Sequence, residues 1–265
     1  MVCNKYFRLL NRYTDYLIGI LWKGYYEKEK FCFKDLSFEL KSNETLAILG
    51  LNGQGKSTLL YNLIGVLKPV SGKAKIYGDF SFLSQAFFLV FDYSVLDIVL
   101  MGFAKQISVF KTPSKAHKIK AIEALELLGV AHLKDRNFNT LSGGQKQLVL
   151  FARAIVAKNK ILFLDEPLSA MDLKNQDKVL SLISRLQKEL GLSVVFTTHQ
   201  PNHALALADK TLILYDDLSY KFGKTKDILT DEFLEKLYKV PIKNLNFTHE
   251  SLNLNALVPI YSLYL

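Results

Sequence analysis

Long apolar runs are missing from this chain. A helix that crosses a bilayer needs about 18 or more consecutive apolar residues. The nearest approach, Leu17-Ile18-Gly19-Ile20-Leu21-Trp22, is short and bounded by Asp15 and Lys23, so no membrane-spanning segment is expected. Met1 to Arg12 carries Lys5, Arg8 and Arg12 but no long apolar stretch with a small-residue cleavage site. A secretory leader is therefore not expected. Cysteine is scarce: Cys3 and Cys32 are the only two, without metal-ligand spacing. That argues against a disulfide framework and a zinc site and fits a reducing compartment. Internal repeats, low-complexity tracts and long linkers are also absent. What remains is 265 residues, 49% of them hydrophobic and 12% aromatic, enough for one substantial core with appended subdomains.

Residues Gly50 to Thr58 read GLNGQGKST: Gly50, four residues, then Gly55-Lys56-Ser57. This is the spacing of a phosphate-binding loop. The apolar run Thr45 to Leu49 before it reads as a buried strand, and Thr58 to Ile64 after it reads as a helix. Glycines let successive backbone N–H groups turn onto phosphate oxygens. The helix N-terminus adds partial positive charge. Gly50, Asn52, Gly53, Gln54, Gly55, Lys56, Ser57 and Thr58 are thus candidate nucleotide contacts. Lys56 would reach the outer phosphates, and the Ser57 hydroxyl would complete a Mg²⁺ shell. The alternative is a chance match, but at ordinary glycine content a chain this long holds only ~0.01 of them.

Leu141-Ser142-Gly143-Gly144-Gln145 opens a second helix, with Ser142 placed to cap it. Its glycines offer another anion-facing helix terminus in a chain with a single Lys-bearing loop. Downstream, Ile161-Leu162-Phe163-Leu164-Asp165-Glu166-Pro167 is an apolar strand ending in two carboxylates. Four apolar residues in a row suit a strand buried on both faces of a parallel sheet. Open α/β sheets bind ligands at the C-terminal ends of such strands. Asp165 suits a magnesium-linked acceptor and Glu166 a general base for an attacking water.

In this order, GLNGQGKST, LSGGQ and ILFLDEP resemble the ATP-binding cassette (ABC) ATPases. The likeness spans roughly residues 17 to 240 and implies ATP and Mg²⁺ as ligands. It implies that Gln85 senses Mg²⁺ and the attacking water, and that His199, closing Val194 to Thr198, contacts the γ-phosphate. Ser169-Ala170-Met171-Asp172 resembles the loop that crosses the family's dimer interface, with Met171 where Leu is usual. An aromatic near the start of the cassette stacks on adenine in this family; Tyr26 is the candidate, with Tyr25 second. The resemblance also implies that Ser142, Gly143, Gly144 and Gln145 act on the nucleotide of a second copy. A homodimer closed by two ATP molecules follows, docked under polytopic permease subunits at the cytoplasmic face of the inner membrane. A periplasmic substrate-binding protein would be an indirect partner.

The expected fold is α/β, a P-loop NTPase of the ABC type. It should have a mostly parallel core sheet, an antiparallel β flank and a helical subdomain at about residues 86–144. The ATPase domain is placed at 17–240, after an N-terminal extension (1–16) and before a C-terminal tail (241–265). The extension is either a short basic arm or an upstream start that the cell does not use. The chain after about residue 225 reads as a helix, Asp231 to Tyr238, and an apolar end.

Within the family, Phe91 to Gly102 resembles a segment of the metal-chelate importers, which serve iron-siderophore, haem, cobalamin and molybdate systems. Only six residues separate Gly78 from Gln85. With Phe196 to Asn202 and Tyr220 to Gly223, this short connection is most similar to ATPases of the Haemophilus-type molybdate/tungstate importers. Iron chelates stay open as cargo. Ala86 to Phe91 is too apolar for a free surface loop: at least half of it is expected to pack inside the helical subdomain, and an exposed remainder would dock on a cytoplasmic helix of the permease. The net charge of +9 admits a rival, a soluble ATPase associated with nucleic acid, and an exporter ATPase is a third reading. Lys105, Lys111, Lys115, Lys118 and Lys120 form either a solvated helix face or a surface toward anionic lipid. The resemblance implies no nucleic-acid partner.

Overall fold

The computed structural model describes residues 16–27, 30–33, 35–84, 91–108, 110–169 and 171–264, with backbone alone for 16–27, 30–32 and 264. In chain order the elements begin with β1 (Tyr16–Glu27), β2 (Lys30–Phe33), β3 (Ser37–Lys41), β4 (Thr45–Leu49), α1 (Lys56–Leu63), β5 (Ser71–Ile76) and β6 (Phe80–Leu83). Then follow α2 (Val95–Leu100), α3 (Lys115–Leu127), α4 (Gly143–Val156), β7 (Ile161–Leu164), α5 (Leu173–Leu190), β8 (Ser193–Thr198) and α6 (Pro201–Leu207). The chain closes with β9 (Lys210–Leu214), β10 (Tyr220–Lys224), α7 (Thr225–Ile228), α8 (Asp231–Tyr238), β11 (Ile242–His249) and β12 (Leu252–Pro259).

The central sheet runs β10-β9-β4-β8-β7-β6. Its pairings are parallel except β9 with β10. Beside it, β1 pairs antiparallel with β2, β3 and β5. Every residue of β4, β7 and β8 is buried, which is why these strands read as unbroken apolar runs. Alternation still divides them between two cores. Ala47 and Leu49, with Leu162 and Leu164, join α2 to α6 on one face. Leu46 and Ile48, with Ile161 and Phe163, join Leu59, Leu60 and Leu63 of α1 and the antiparallel flank on the other.

The helical layer of α2, α3 and α4 hangs from the first face. Each of these helices opens on a serine capping box: Ser94 with Asp97, Ser114 with His117, and Ser142 with Gln145. Reciprocal caps satisfy N–H groups that helix geometry leaves without partners. In α5, Val179, Leu182, Ile183 and Leu186 make one buried stripe, and the helix stops at Gly191 with φ 61°. Among the described residues no helix is long and apolar enough to cross a membrane.

The stretch from 90 to 140, expected to be helical, is broken: α2 and α3 are joined by irregular chain and by single turns of tighter helix. The tail departs further from expectation. Helix α8 forms as read, but the apolar end is a β-hairpin, β11 on β12. Leu245, Phe247, Leu252 and Leu254 alternate with Asn and Thr, the period of a strand. Ile242 and Leu257 anchor its base in the core, and Asn202 of α6 hydrogen-bonds both N–H and C=O of Leu257.

Candidate functional site

Three strand ends build the site: β4, β7 and β8 finish side by side and deliver Gly50, Asp165 and His199 to one edge of the sheet. The loop after β4 turns through Gly53 and Gly55, both at φ 84°. A side chain there would be strained, and glycine adopts this backbone at no steric cost. Gly50 lies where the chain passes close to its neighbours: a Cβ would meet Gln54 Oε1 at 2.8 Å and the Leu214 carbonyl at 3.3 Å. Gln54 Oε1 accepts from the Leu51 N–H and pins the loop. Helix α1 then starts on Gly55 with no side-chain cap. Its N-terminus is thus a backbone cradle for an anion.

Lys56 is buried beside this cradle. Its ammonium donates to the carbonyls of Gly50 (2.9 Å) and Leu51 (3.1 Å) and pairs with Glu166 at 3.1 Å. Ser57 Oγ donates to Asp165 Oδ1 at 3.0 Å. A hydroxyl and a carboxylate this close are a hard-oxygen pair of the kind Mg²⁺ takes from proteins that leave its other positions to water and phosphate. Burial pushes the Asp165 carboxyl above its ordinary range. Hydrogen bonds from Thr197 and Ser57 and the charge of Lys56 oppose that rise, and the charge of Glu166 adds to it. A bound divalent cation would favour the ionised form.

Glu166 sits in the left-handed region at φ 45°, which costs a non-glycine residue roughly 1–2 kcal/mol. The position is held by its surroundings. Its N–H donates to Thr197 Oγ1 at 2.7 Å, and its carbonyl accepts from the Ser169 N–H (3.2 Å) and hydroxyl (3.0 Å). The Thr197 hydroxyl in turn donates to Asp165 Oδ1 at 2.7 Å. One buried threonine thereby fixes the Asp165 carboxylate and the backbone of Glu166. His199 Nδ1 lies 3.3 Å from Glu166 Oε2, and the His199 carbonyl accepts from Tyr238 Oη at 2.7 Å.

Lys56, Ser57, Asp165, Glu166 and His199 thus form one contiguous group. The loop residues Gly50, Gly53, Gln54 and Gly55 frame it, Asn52 is exposed at its rim, and Thr58 continues α1. Ser142, Gly143, Gly144 and Gln145 are elsewhere, at the start of α4, with Ser142 and Gly143 exposed. Ser142 and Gln145 bond to each other there. Gln85, Ala86 to Val90 and Ala170 lie outside the described residues, and so does the greater part of the N-terminal extension. Tyr26 is described by backbone only, paired with Phe31, as Tyr25 is with Phe33. Sequence reasoning missed Thr197, Tyr238, His203 and Gln176. Thr197 and Thr198 did carry a signal, as two adjacent hydroxyls at the C-terminal end of a buried strand, after Val194, Val195 and Phe196.

A parallel sheet with a glycine-rich loop leading into an uncapped helix, a buried lysine and paired carboxylates at the strand ends defines a P-loop nucleotide-binding protein. The profile of the ABC transporter family matches residues 33–169. The molybdate import ATP-binding protein MolC of Haemophilus influenzae is 46% identical over 237 residues, 89% of this chain and 93% of that one. A Helicobacter pylori protein named for iron chelatin transport is 35% identical over 232 residues, 81% of this chain and 90% of that one. Among solved structures, a metal-chelate type ABC transporter in an inward-facing conformation superposes with a TM-score of 0.88 at 43% identity. That match covers 95% of this chain and all of its counterpart (100%). The chain belongs to the ABC transporter family. It is an importer ATPase, an enzyme that couples ATP hydrolysis to transport.

Proposed function

We propose that this chain hydrolyses MgATP as a homodimer and energises an importer of metal chelates or oxyanions, docked on permease subunits at the cytoplasmic face of the inner membrane. The relative named for molybdate import and the one named for iron chelatin transport support this cargo class. The convergence of Lys56, Ser57, Asp165, Glu166 and His199 at one sheet edge carries the reading.

Lys56 and the loop N–H groups from Gly50 to Thr58 hold the phosphates. Ser57 and Asp165, with Gln85, would hold Mg²⁺, which supplies charge neutralisation of the β- and γ-phosphates. A γ-phosphate at Lys56 competes with Glu166 for the same ammonium, and the released carboxylate is then available to orient water and take its proton. Water oxygen attacks the γ-phosphorus in line, the bridging oxygen leaves with its electron pair on ADP, and Lys56 and His199 offset the developing charge. Tyr26 stacks on adenine. Ser142, Gly143, Gly144 and Gln145 of a second copy close over the γ-phosphate and exclude bulk water. Phe91, exposed near the start of the helical subdomain, and the apolar sequence before it supply the permease contact, and a periplasmic binding protein delivers the cargo.

Glu166→Gln tests this reading, because the amide keeps the shape and loses the base. The variant should bind ATP within a few-fold of wild type, hydrolyse it at least 100-fold more slowly and run as an ATP-dependent dimer on sizing. The wild-type chain should co-purify with a polytopic membrane protein in detergent. Co-purification with DNA or RNA instead, or a monomer with ATP bound, would overturn the proposal.

A further inference from the structure

The polar chain behind the catalytic edge has no part in phosphate chemistry. Thr198 Oγ1 lies 3.3 Å from His203 Nδ1, and His203 Nε2 lies 3.4 Å from Gln176 Oε1. The Gln176 amide donates in turn to the carbonyls of Leu168 (3.2 Å) and Met171 (3.1 Å). Directions follow from the groups. The Gln176 oxygen can only accept, so His203 carries its proton on Nε2 and accepts from the Thr198 hydroxyl at Nδ1. Burial, with the charge of His199 adding, pulls His203 down to about 4, so it is the neutral tautomer that makes both bonds.

What this chain joins is specific. At one end is the turn that carries His199, next to Thr198. At the other is the loop after Glu166, whose Leu168 and Met171 carbonyls Gln176 holds. The two loops face each other across a cavity of about 10 Å³ lined by Glu166, Leu168, Ser169, Thr198, His199 and His203. That volume is close to the smallest that accepts one water, so the two segments lie almost in contact there.

We infer that His203 and Gln176 are positioning residues: a hydrogen-bonded strut that ties the Leu168 and Met171 carbonyls to the His199 turn and so holds His199 in place for the γ-phosphate. The inference rests on the two-copy reading, in which the stretch from Ser169 to Asp172 crosses to the second copy. The strut then carries a displacement of that stretch to His199.

The test is a double-mutant cycle on the full chain with Gln176→Leu and His203→Leu, reading kcat, KM and ATP affinity. Each single variant should lower kcat about tenfold or more, with ATP affinity within twofold of wild type. The double variant should be no slower than the slower single one, because either change breaks the same strut. Gln176→Glu keeps an acceptor for His203 and loses the donors to Leu168 and Met171. It should match Gln176→Leu in kcat and guards against a folding defect in the apolar variants. Wild-type kcat in Gln176→Glu, additive losses in the cycle, or losses that track ATP affinity would overturn the strut. The ATP-dependent dimer of Glu166→Gln reports on the two-copy reading separately. If that dimer forms and Gln176→Glu turns over like wild type, the strut alone fails.

Discussion

Two glycine-rich helix starts in this chain solve the same backbone problem in opposite ways. Helix α1 opens on Gly55 without a side-chain cap, beside a buried lysine. Helix α4 opens on Ser142 inside a capping box with Gln145, exposed. The first start keeps its N–H groups for an external anion and brings its own cation. The second satisfies part of its polar backbone internally, and the Lys146 ammonium in its first turn lies over the Phe138 ring at 5.8 Å. A fixed cation plus an uncapped helix end makes a complete phosphate site. A capped helix end is only a supplementary contact. The difference fits the proposed division of roles, binding at α1 and completion at α4 on a second copy's nucleotide.

Lys56→Ala breaks the first half of the comparison and should have the largest effect. ATPase activity should fall to background and ATP affinity by at least 100-fold in a filter or fluorescence assay. The change also takes the ammonium away from Glu166, whose side chain is only 9% exposed and keeps only His199 Nδ1, at 3.3 Å, as an ion-pair partner; breaking a buried pair in this way costs up to about 3 kcal/mol. Glu166→Gln added to Lys56→Ala should return much of that stability in urea without returning hydrolysis. Wild-type turnover in Lys56→Ala would mean that α1 does not hold the phosphates.

Ser142→Arg breaks the second half. The isolated chain should bind ATP nearly as wild type and fail to hydrolyse it. A mixture sharpens the result. Lys56→Ala and Ser142→Arg chains should together recover activity that neither has alone, because the mixed dimer contains one site with an intact loop and an intact Ser142. Mixing without recovery, or loss of binding in Ser142→Arg alone, would place Ser142 in cis.

The comparison also shows which features a sequence displays. GLNGQGKST, LSGGQ and ILFLDEP are contiguous, so their chemistry is legible in order along the chain. The strands Thr45–Leu49 and Ile161–Leu164 and the helix Asp231–Tyr238 fall where the pattern places them, since burial on both faces leaves an unbroken apolar run and burial of one stripe leaves a clear period. The parts that hold the catalytic groups in place were not legible. Thr197 meets Glu166 across 31 positions, Tyr238 meets the His199 carbonyl across 39, and His203 meets Gln176 across 27. No local pattern encodes such pairs; they follow from the packing of β7, β8, α5 and α8. The hairpin of the tail is a different case. Its alternation was visible, but Leu and Phe spaced by Asn also read as an undifferentiated apolar end until strand pairing gives the period a partner.

The smallest expected effect comes from weakening the α4 cap while leaving its glycines in place. Gln145 Oε1 accepts from the Ser142 N–H at 3.1 Å, and Ser142 Oγ accepts from the Gln145 N–H at 3.4 Å. Gln145→Ala removes the first bond and keeps the second. One lost cap interaction costs about 1 kcal/mol, which for a chain of this size lowers Tm by roughly 2–4 °C. No equivalent cap substitution exists at α1, where Gly55 offers no side chain to remove, so a loss of stability through a broken cap is expected at α4 alone. Hydrolysis should fall less than in Ser142→Arg, because Ser142 and both glycines still present their groups. If Gln145→Ala leaves Tm unchanged but stops hydrolysis, Gln145 is a nucleotide contact first and a cap second. The contrast between the two helix starts would then narrow to the lysine alone.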